Sequence, residues 1–313
     1  MKQSQRPPLI VILGPTAVGK TSISIELAHR LDGEIVSADS RLLYRGMDIG
    51  TAKPTEDEIK DVPHHLIDVA DPDENWSLAI YQRMAYRVID EIHSREKLPF
   101  LVGGTGQYIR AIIEGWRIPR QKPDFYLRET LETWAEEIGN EALHRRLMVL
   151  DPEAAGQIDY RNLRRTIRAL EVILKSGERF SDLRRKQKCP YRPIILGIER
   201  PRDALYERVD QRIDQMLDEG LVDEVRTLLD KGYSPDLPTL SAIGYSEIIQ
   251  YLRGEIDFEE AVTLIRRNTR TFVRRQANWF KSDDPRIEWF QASDDFVDEM
   301  EAYIRSELNG NKA

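Results

Sequence analysis

The sequence predicts an α/β fold, a parallel sheet flanked by helices, interrupted by an inserted all-helical domain. Three observations predict it. Short apolar runs rich in β-branched residues alternate with longer helix-like stretches, as in strands buried on both faces of a parallel sheet and joined by crossover helices. A glycine-rich turn lies between the first run and the first helix-like stretch. The alternation then stops between about Trp116 and Pro193, where a charge-rich helical pattern carries no convincing strand. The expected organisation is a core of residues 1–115 and 193–313, ending in helices, with a helical insertion at 116–192.

The strands expected are LIVIL (9–13), EIVSA (34–38), HLIDVA (65–70), PFLVG (99–103) and PIILGI (193–198), with RIEWF (286–290) as a weaker sixth. Helix-like segments follow the first, third and fourth, as βαβ units require. The turn after the first run, Gly14-Pro15-Thr16-Ala17-Val18-Gly19-Lys20-Thr21, matches G-x-x-x-x-G-K-[ST], and SISIELAHRL follows it. Its glycines let backbone N–H groups wrap an anion at the positive end of the next helix. Lys20 can neutralise phosphate oxygens, and the Thr21 hydroxyl can ligate Mg²⁺. The loop establishes phosphate binding without naming the phosphate compound.

After the second run come Asp39, Ser40, Arg41 and Leu42, then a stretch ending DIGTAKP at Pro54. A carboxylate at the carboxyl end of a parallel strand shares the rim of the phosphate loop. On spacing alone Asp39 serves equally as a general base, as a helper in holding Mg²⁺, or as an N-cap with Ser40. Gly103-Gly104-Thr105-Gly106-Gln107 follows the fourth run in the same way, offering hydrogen bonds from Thr105 and Gln107; alone it is also a tight strand-to-helix turn. His64 and His65 are adjacent and point to opposite faces of a strand, which favours structural roles over a shared metal.

Lys+Arg 46 against Asp+Glu 54 gives a net charge of −8. No early apolar stretch is long enough for a membrane span or a signal-peptide core, and the single Cys189 excludes an internal disulfide framework. The chain reads as cytoplasmic and monomeric. Its charge is unevenly placed. Arg161 to Arg192 holds eleven Lys/Arg and three Asp/Glu, while Leu264 to Lys281 holds six basic residues and no acid. Arg161, Arg164, Arg165, Arg168 and Lys175 recur at helical spacing, opposite a stripe of Leu163, Ile167, Leu170 and Leu174. Arg266, Arg267, Arg270, Arg274 and Lys281 fall within an arc of about 100°. One such stripe is an ordinary solvated face; two without compensating acids point to a nucleic-acid backbone. Arg208 and Arg212 lie one helical turn apart, so one or both reach the phosphate loop or pair with Glu207 or Asp210.

Together, GPTAVGKT, SADSRLLYRGMDIGTAKPT, HHLIDVADP, VGGTGQYIRAI, RRTIRALEV, RVDQRIDQMLDEGLVDEV and RRQANWF resemble the tRNA dimethylallyltransferase family, in the same order, from about Leu9 to Phe280. The resemblance implies a P-loop kinase-like core with an inserted domain that grips the tRNA anticodon stem-loop. It implies transfer of a dimethylallyl group from dimethylallyl diphosphate to N6 of adenosine 37, with Mg²⁺ as cofactor. Gly14 to Thr21 would bind the diphosphate with Arg212 assisting, Asp39 would be the general base, and Thr105 would be a further catalytic residue. Asp39 to Leu42, Thr105, Gln107, Arg128, the segment Arg164, Arg165, Thr166, Ile167 and Arg168, and Arg270 with Arg274 would contact tRNA. Two other readings stay open: an isopentenyltransferase or ATP-dependent kinase acting on free small molecules, and a non-catalytic RNA binder switched by nucleotide.

Overall fold

The computed structural model describes residues 6–59, 61–118, 123–183, 188–292 and 296–310. Arg184, Arg185 and Lys186 of the first basic segment lie outside the described residues. The chain begins β1 (Pro8–Leu13), α1 (Lys20–Arg30), β2 (Gly33–Ser37), α2 (Glu56–Ile59), β3 (His64–His65), α3 (Leu78–Ser94), β4 (Leu98–Gly103) and α4 (Gly106–Ile113). Five helices follow: α5 (Phe125–Ile138), α6 (Asn140–Leu150), α7 (Pro152–Gln157), α8 (Leu163–Ser176) and α9 (Phe180–Leu183). The chain returns through β5 (Arg192–Glu199), α10 (Arg202–Asp218), α11 (Leu221–Asp230), α12 (Tyr245–Leu252), α13 (Phe258–Ala277), β6 (Ile287–Gln291) and α14 (Phe296–Asn309). Two compact units result, one of residues 1–113 with 190–313 and one of residues 114–189. Among the described residues no helix is long and apolar enough to cross a membrane.

The larger unit is built on one parallel sheet ordered β3-β2-β4-β1-β5-β6. Strand β1 is central: Ile10 lies opposite Phe100 of β4 and Ile194 of β5. Leu9 to Leu13 are at most 1% exposed, which is why LIVIL shows no alternation. Helices α1 and α14 touch each other over one face of the sheet, while α3 and α4 cover the other. The chain leaves β1 toward one edge and β5 toward the other, so the reversal opens a crevice at the carboxyl end of β1. That is where the phosphate loop lies.

One expected strand is largely absent. Of HLIDVA only His65, with His64 before it, pairs in the sheet. Leu66 and Asp68 take left-handed φ angles of 61° and 53°, which no strand accommodates. Residues 68–70 pair instead with the loop after β2: Asp68 N–H donates to Leu42 O, and Val69 and Ala70 N–H donate to Leu43 O. The Lys53 ammonium, nearly buried, joins Asp48 to Asp68 across this turn.

The smaller unit has a core of its own. Leu131 and Ala135 of α5, Leu143 and Leu147 of α6, and Ile167 and Leu170 of α8 pack together. Asp124 caps α5 by accepting Leu127 N–H at 3.1 Å, and Asn162 caps α8 by accepting Arg165 N–H at 3.2 Å.

Candidate active site

The phosphate loop turns directly from β1 into α1. Gly19 has φ 107°, a left-handed angle that a β-carbon would strain. The Ala17, Gly19, Lys20 and Thr21 amides donate to no backbone carbonyl among the described residues, so they remain available to an anion at the helix end. Three of the loop's carbonyls, by contrast, are engaged by side chains. Lys20 Nζ donates to Pro15 O at 2.8 Å, Arg208 Nε to Ala17 O at 3.0 Å and Arg200 Nε to Val18 O at 3.1 Å. Of the two expectations for Arg208, the loop contact is the one formed. Burial pulls the Lys20 ammonium down to about 8, with Asp39 opposing the shift and Arg212 adding to it.

The loop after β2 stands beside it. Asp39 Oδ1 accepts Arg41 N–H at 2.9 Å, which fixes the carboxylate in a tight turn while its other oxygen makes no hydrogen bond among the described residues. Ser40 N–H donates to Thr105 Oγ1 at 3.1 Å and Thr105 N–H donates to Ala38 O at 3.2 Å. The loops after β2 and β4 are therefore stitched together. Beneath them Tyr81 and Tyr108 stack at 3.8 Å, and the fully buried Tyr81 hydroxyl donates to Ser37 O at 3.0 Å. Arg212 of α10 donates to Thr51 O at 3.4 Å. Burial pulls its guanidinium below the ordinary range, while Asp39 and Glu58 act against that shift.

These groups line one cleft of about 370 Å³. Thr16, Lys20 and Thr21 face it from the phosphate loop, Asp39 to Leu42 from the loop after β2, Thr105 from the loop after β4, and Arg212 from α10. The histidines separate: His64 lines the cleft, and His65 Nε2 meets Glu34 at 2.6 Å. Gln107 is exposed on α4 and does not line the cleft. Two wall segments escaped sequence reasoning. Ser241 to Gly244 form part of the wall; the only local signal there is Glu247 accepting Gly244 N–H at 2.8 Å, which announces a helix start and not a site. Gly50 to Ala52 form another part. Their loop is shaped by Glu224 of α11, whose carboxylate accepts the N–H groups of Asp48, Ile49 and Gly50 at 2.8, 2.7 and 3.1 Å.

The basic helices differ from expectation in two ways. Thr166 and Ile167 are 0% and 2% exposed; their side chains belong to the core of the smaller unit and cannot meet RNA, whereas Arg164 and Arg165 on the same helix are exposed. The stripe on α13 is also not uncompensated. Arg270 pairs with Asp210 and Arg266 with Asp214, both on α10, acids too distant in sequence to count against the segment. Arg274 is exposed and donates to Thr271 Oγ1 at 2.9 Å.

Within the smaller unit, Arg128 and Arg168 share one buried carboxylate. Glu171, 0% exposed, accepts Asp124 N–H at 2.7 Å and two bonds from Arg128 at 3.1 and 2.9 Å, and it pairs with Arg168. Burial opposes its ionisation, but these donors outweigh burial and hold the carboxyl below its ordinary value. Glu171→Gln is expected to destabilise the chain by about 1.5–3 kcal/mol at neutral pH. The wild-type advantage is present above a Glu pKa of about 4.3 and is lost as pH falls through the lower folded value. Thermal melts of both proteins between pH 7 and pH 3 check this; parallel melting curves would contradict it.

A family model described as IPP transferase matches residues 42–283. A tRNA dimethylallyltransferase of Roseiflexus castenholzii is 49% identical over 304 residues, covering 97% of this chain and 99% of that one. The tRNA dimethylallyltransferase of Thermomicrobium roseum is 48% identical over 290 residues, with coverage of 93% and 88%. This chain belongs to the tRNA dimethylallyltransferase family. Among solved structures, the tRNA isopentenylpyrophosphate transferase of Bacillus halodurans is similar with a TM-score of 0.73 and 42% identity, covering 98% of both chains. A eukaryotic dimethylallyltransferase acting on tRNA superposes with a TM-score of 0.83 at 25% identity, covering 98% of this chain and 80% of that one. For a tRNA dimethylallyltransferase family member, a phosphate loop and a carboxylate in one cleft have a direct chemical meaning. The relatives do not favour the small-molecule alternative.

Proposed function

We propose that this chain transfers the dimethylallyl group of dimethylallyl diphosphate to N6 of adenosine 37, beside the anticodon of tRNA. The observation that carries the reading is the convergence of Lys20, Arg212 and Asp39 on one cleft. In the reaction the bond from the allylic carbon to the diphosphate oxygen breaks and a carbon–nitrogen bond to N6 forms. The proton leaves N6 for the Asp39 carboxylate, and the electron pair leaves with diphosphate. An exocyclic adenine amine is a weak nucleophile, so departure of diphosphate is the demanding event. The free amides of the phosphate loop, Lys20 and Arg212 stabilise that departing charge.

Mg²⁺ would supply further charge neutralisation to the diphosphate. The residues fit it: Thr21, whose hydroxyl is a hard oxygen donor, and Asp39 both line the cleft. Among the described residues no group of three or more His, Cys, Asp or Glu could hold a metal alone, which suits an ion carried largely by phosphate oxygens and water. The target base must leave its stack, an easier step in an anticodon loop than in a duplex.

The deciding experiment is label transfer from radiolabelled dimethylallyl diphosphate, with Mg²⁺, into unmodified tRNA and, in parallel, into AMP. Label is expected in tRNA at the adenosine next to the anticodon; label in AMP alone would overturn the RNA assignment. We assign the exposed Arg164 and Arg165 to the RNA backbone. Affinity for tRNA is then expected to fall steeply with salt, and replacing either arginine with Ala should flatten the slope of log K against log salt by about 1. Filter binding across salt concentrations measures this, and an unchanged slope would remove these arginines from the interface.

A further inference from the structure

Gln276, in the last turn of α13, is 7% exposed and joins two loops that the mechanism treats separately. Its Oε1 accepts the Thr16 N–H at 2.8 Å and its Nε2 donates to Gly104 O at 3.2 Å. A β-carbon at residue 104 would lie 2.5 Å from that Nε2, so glycine there lets the amide lie against the loop. The end of α13 is itself anchored. Arg110 of α4 donates to Trp279 O at 2.6 Å, and its guanidinium sits 5.8 Å from the Trp279 ring centre.

We propose that Gln276 is a positioning residue that sets the register between the phosphate loop and the loop carrying Asp39; this rests on the reading of the cleft as a diphosphate and general-base site. Two connections run from its amide. On one side it holds the N–H of the Pro15–Thr16 peptide, the same peptide whose carbonyl accepts Lys20 Nζ at 2.8 Å. Fixing that peptide plane fixes where the ammonium rests before diphosphate arrives. On the other side it holds Gly104, next to Thr105, which binds Ser40 N–H and Ala38 O and thereby the turn at Asp39. A primary amide is suited to this because it offers an acceptor and a donor on one rigid plane. The helix that delivers it is far away in sequence, so the sheet spaces the two loops and Gln276 orients them.

The test uses the full chain and two variants. Gln276→Met keeps the length of the side chain and removes both bonds. It is expected to lower kcat about 10- to 100-fold, the scale of a small misplacement of reacting groups, while KM for dimethylallyl diphosphate and for tRNA changes by less than about threefold. Gln276→Glu keeps an acceptor for Thr16 and sets a second acceptor against Gly104 O. Its kcat relative to wild type is expected to rise as pH is lowered, because the protonated acid regains a donor; a merely structural role would not produce that profile. Hydrogen exchange gives a readout independent of catalysis. In Gln276→Met the segments 14–19 and 103–105 should exchange about 2- to 10-fold faster, the equivalent of one lost hydrogen bond each. Wild-type kcat in the Met variant, a defect confined to KM for tRNA, or unchanged exchange in the two segments would overturn the proposal. An inactive wild-type chain would instead overturn the assigned reaction, and the exchange data would still decide whether Gln276 holds the two loops.

Discussion

Asp39→Asn is expected to lower kcat for prenyl transfer by about 10²- to 10⁴-fold while leaving tRNA affinity within a few fold of wild type. The substitution is selective for a structural reason. Asp39 Oδ1 caps its own turn by accepting Arg41 N–H, and the amide oxygen of Asn can accept the same bond. Ser40 stays bound to Thr105 through backbone N–H, so the loop keeps its shape. What disappears is the capacity to take a proton from N6 as the new bond forms. Single-turnover label transfer, paired with filter binding of tRNA, measures both quantities. Turnover near the wild-type rate would reduce Asp39 to a turn-capping residue and move the base elsewhere.

Lys20→Met should have an effect of similar size through the other reactant. Loss of one preorganised charge on a departing anion costs about 10²- to 10³-fold in kcat. The pH dependence carries more information. Burial pulls Lys20 down to about 8, with Asp39 acting against the shift and Arg212 with it. A diphosphate seated on the ammonium raises that value again. Below about pH 8 the ammonium is already charged and binding needs no extra proton. Above it, binding takes one up, and affinity falls by up to tenfold per pH unit until the pKa of the occupied site is reached. Calorimetry with inorganic pyrophosphate in buffers of different ionisation enthalpy detects the proton directly. Lys20→Met should abolish both the uptake and the slope; a slope that survives would belong to another group.

The parts of this molecule legible in its sequence are those whose cause is local. LIVIL became the central strand and GPTAVGKT the loop after it, because a continuous apolar run and a glycine turn each determine their own geometry. HLIDVA read as a strand on the same grounds and failed. Its partner is the loop around Leu42 and Leu43, and the left-handed angles at Leu66 and Asp68 leave no mark on hydropathy. On α8 periodicity placed Ile167 and Leu170 in the core and Arg164 at the surface, but Leu174 of the same apolar stripe is exposed and Arg168 pairs with the buried Glu171. Carrying the whole segment 164–168 to RNA by resemblance overrode that division, and burial restores it. The pairing of Arg270 with Asp210 and of Arg266 with Asp214 joins helices far apart in the chain. So do the contacts of Arg200 and Gln276 with the phosphate loop. No window of sequence contains such pairs.

The order of the strands also governs how the protein is made. Strand β1 finds its first neighbour in β4, but its second is β5, which begins only at Arg192. A nascent chain ending after α4 holds β1 with one edge unpaired: a bare row of N–H and C=O groups flanked by Leu9 to Leu13. At about 5–20 residues per second, translating the helical insertion keeps that edge open for about 4–15 seconds. An apolar edge exposed that long is a template for another chain. Premature termination inside the insertion would therefore release an aggregation-prone fragment, a ribosomal pause there would prolong the exposure, and a chain ending at Ile113 should precipitate where the full chain does not.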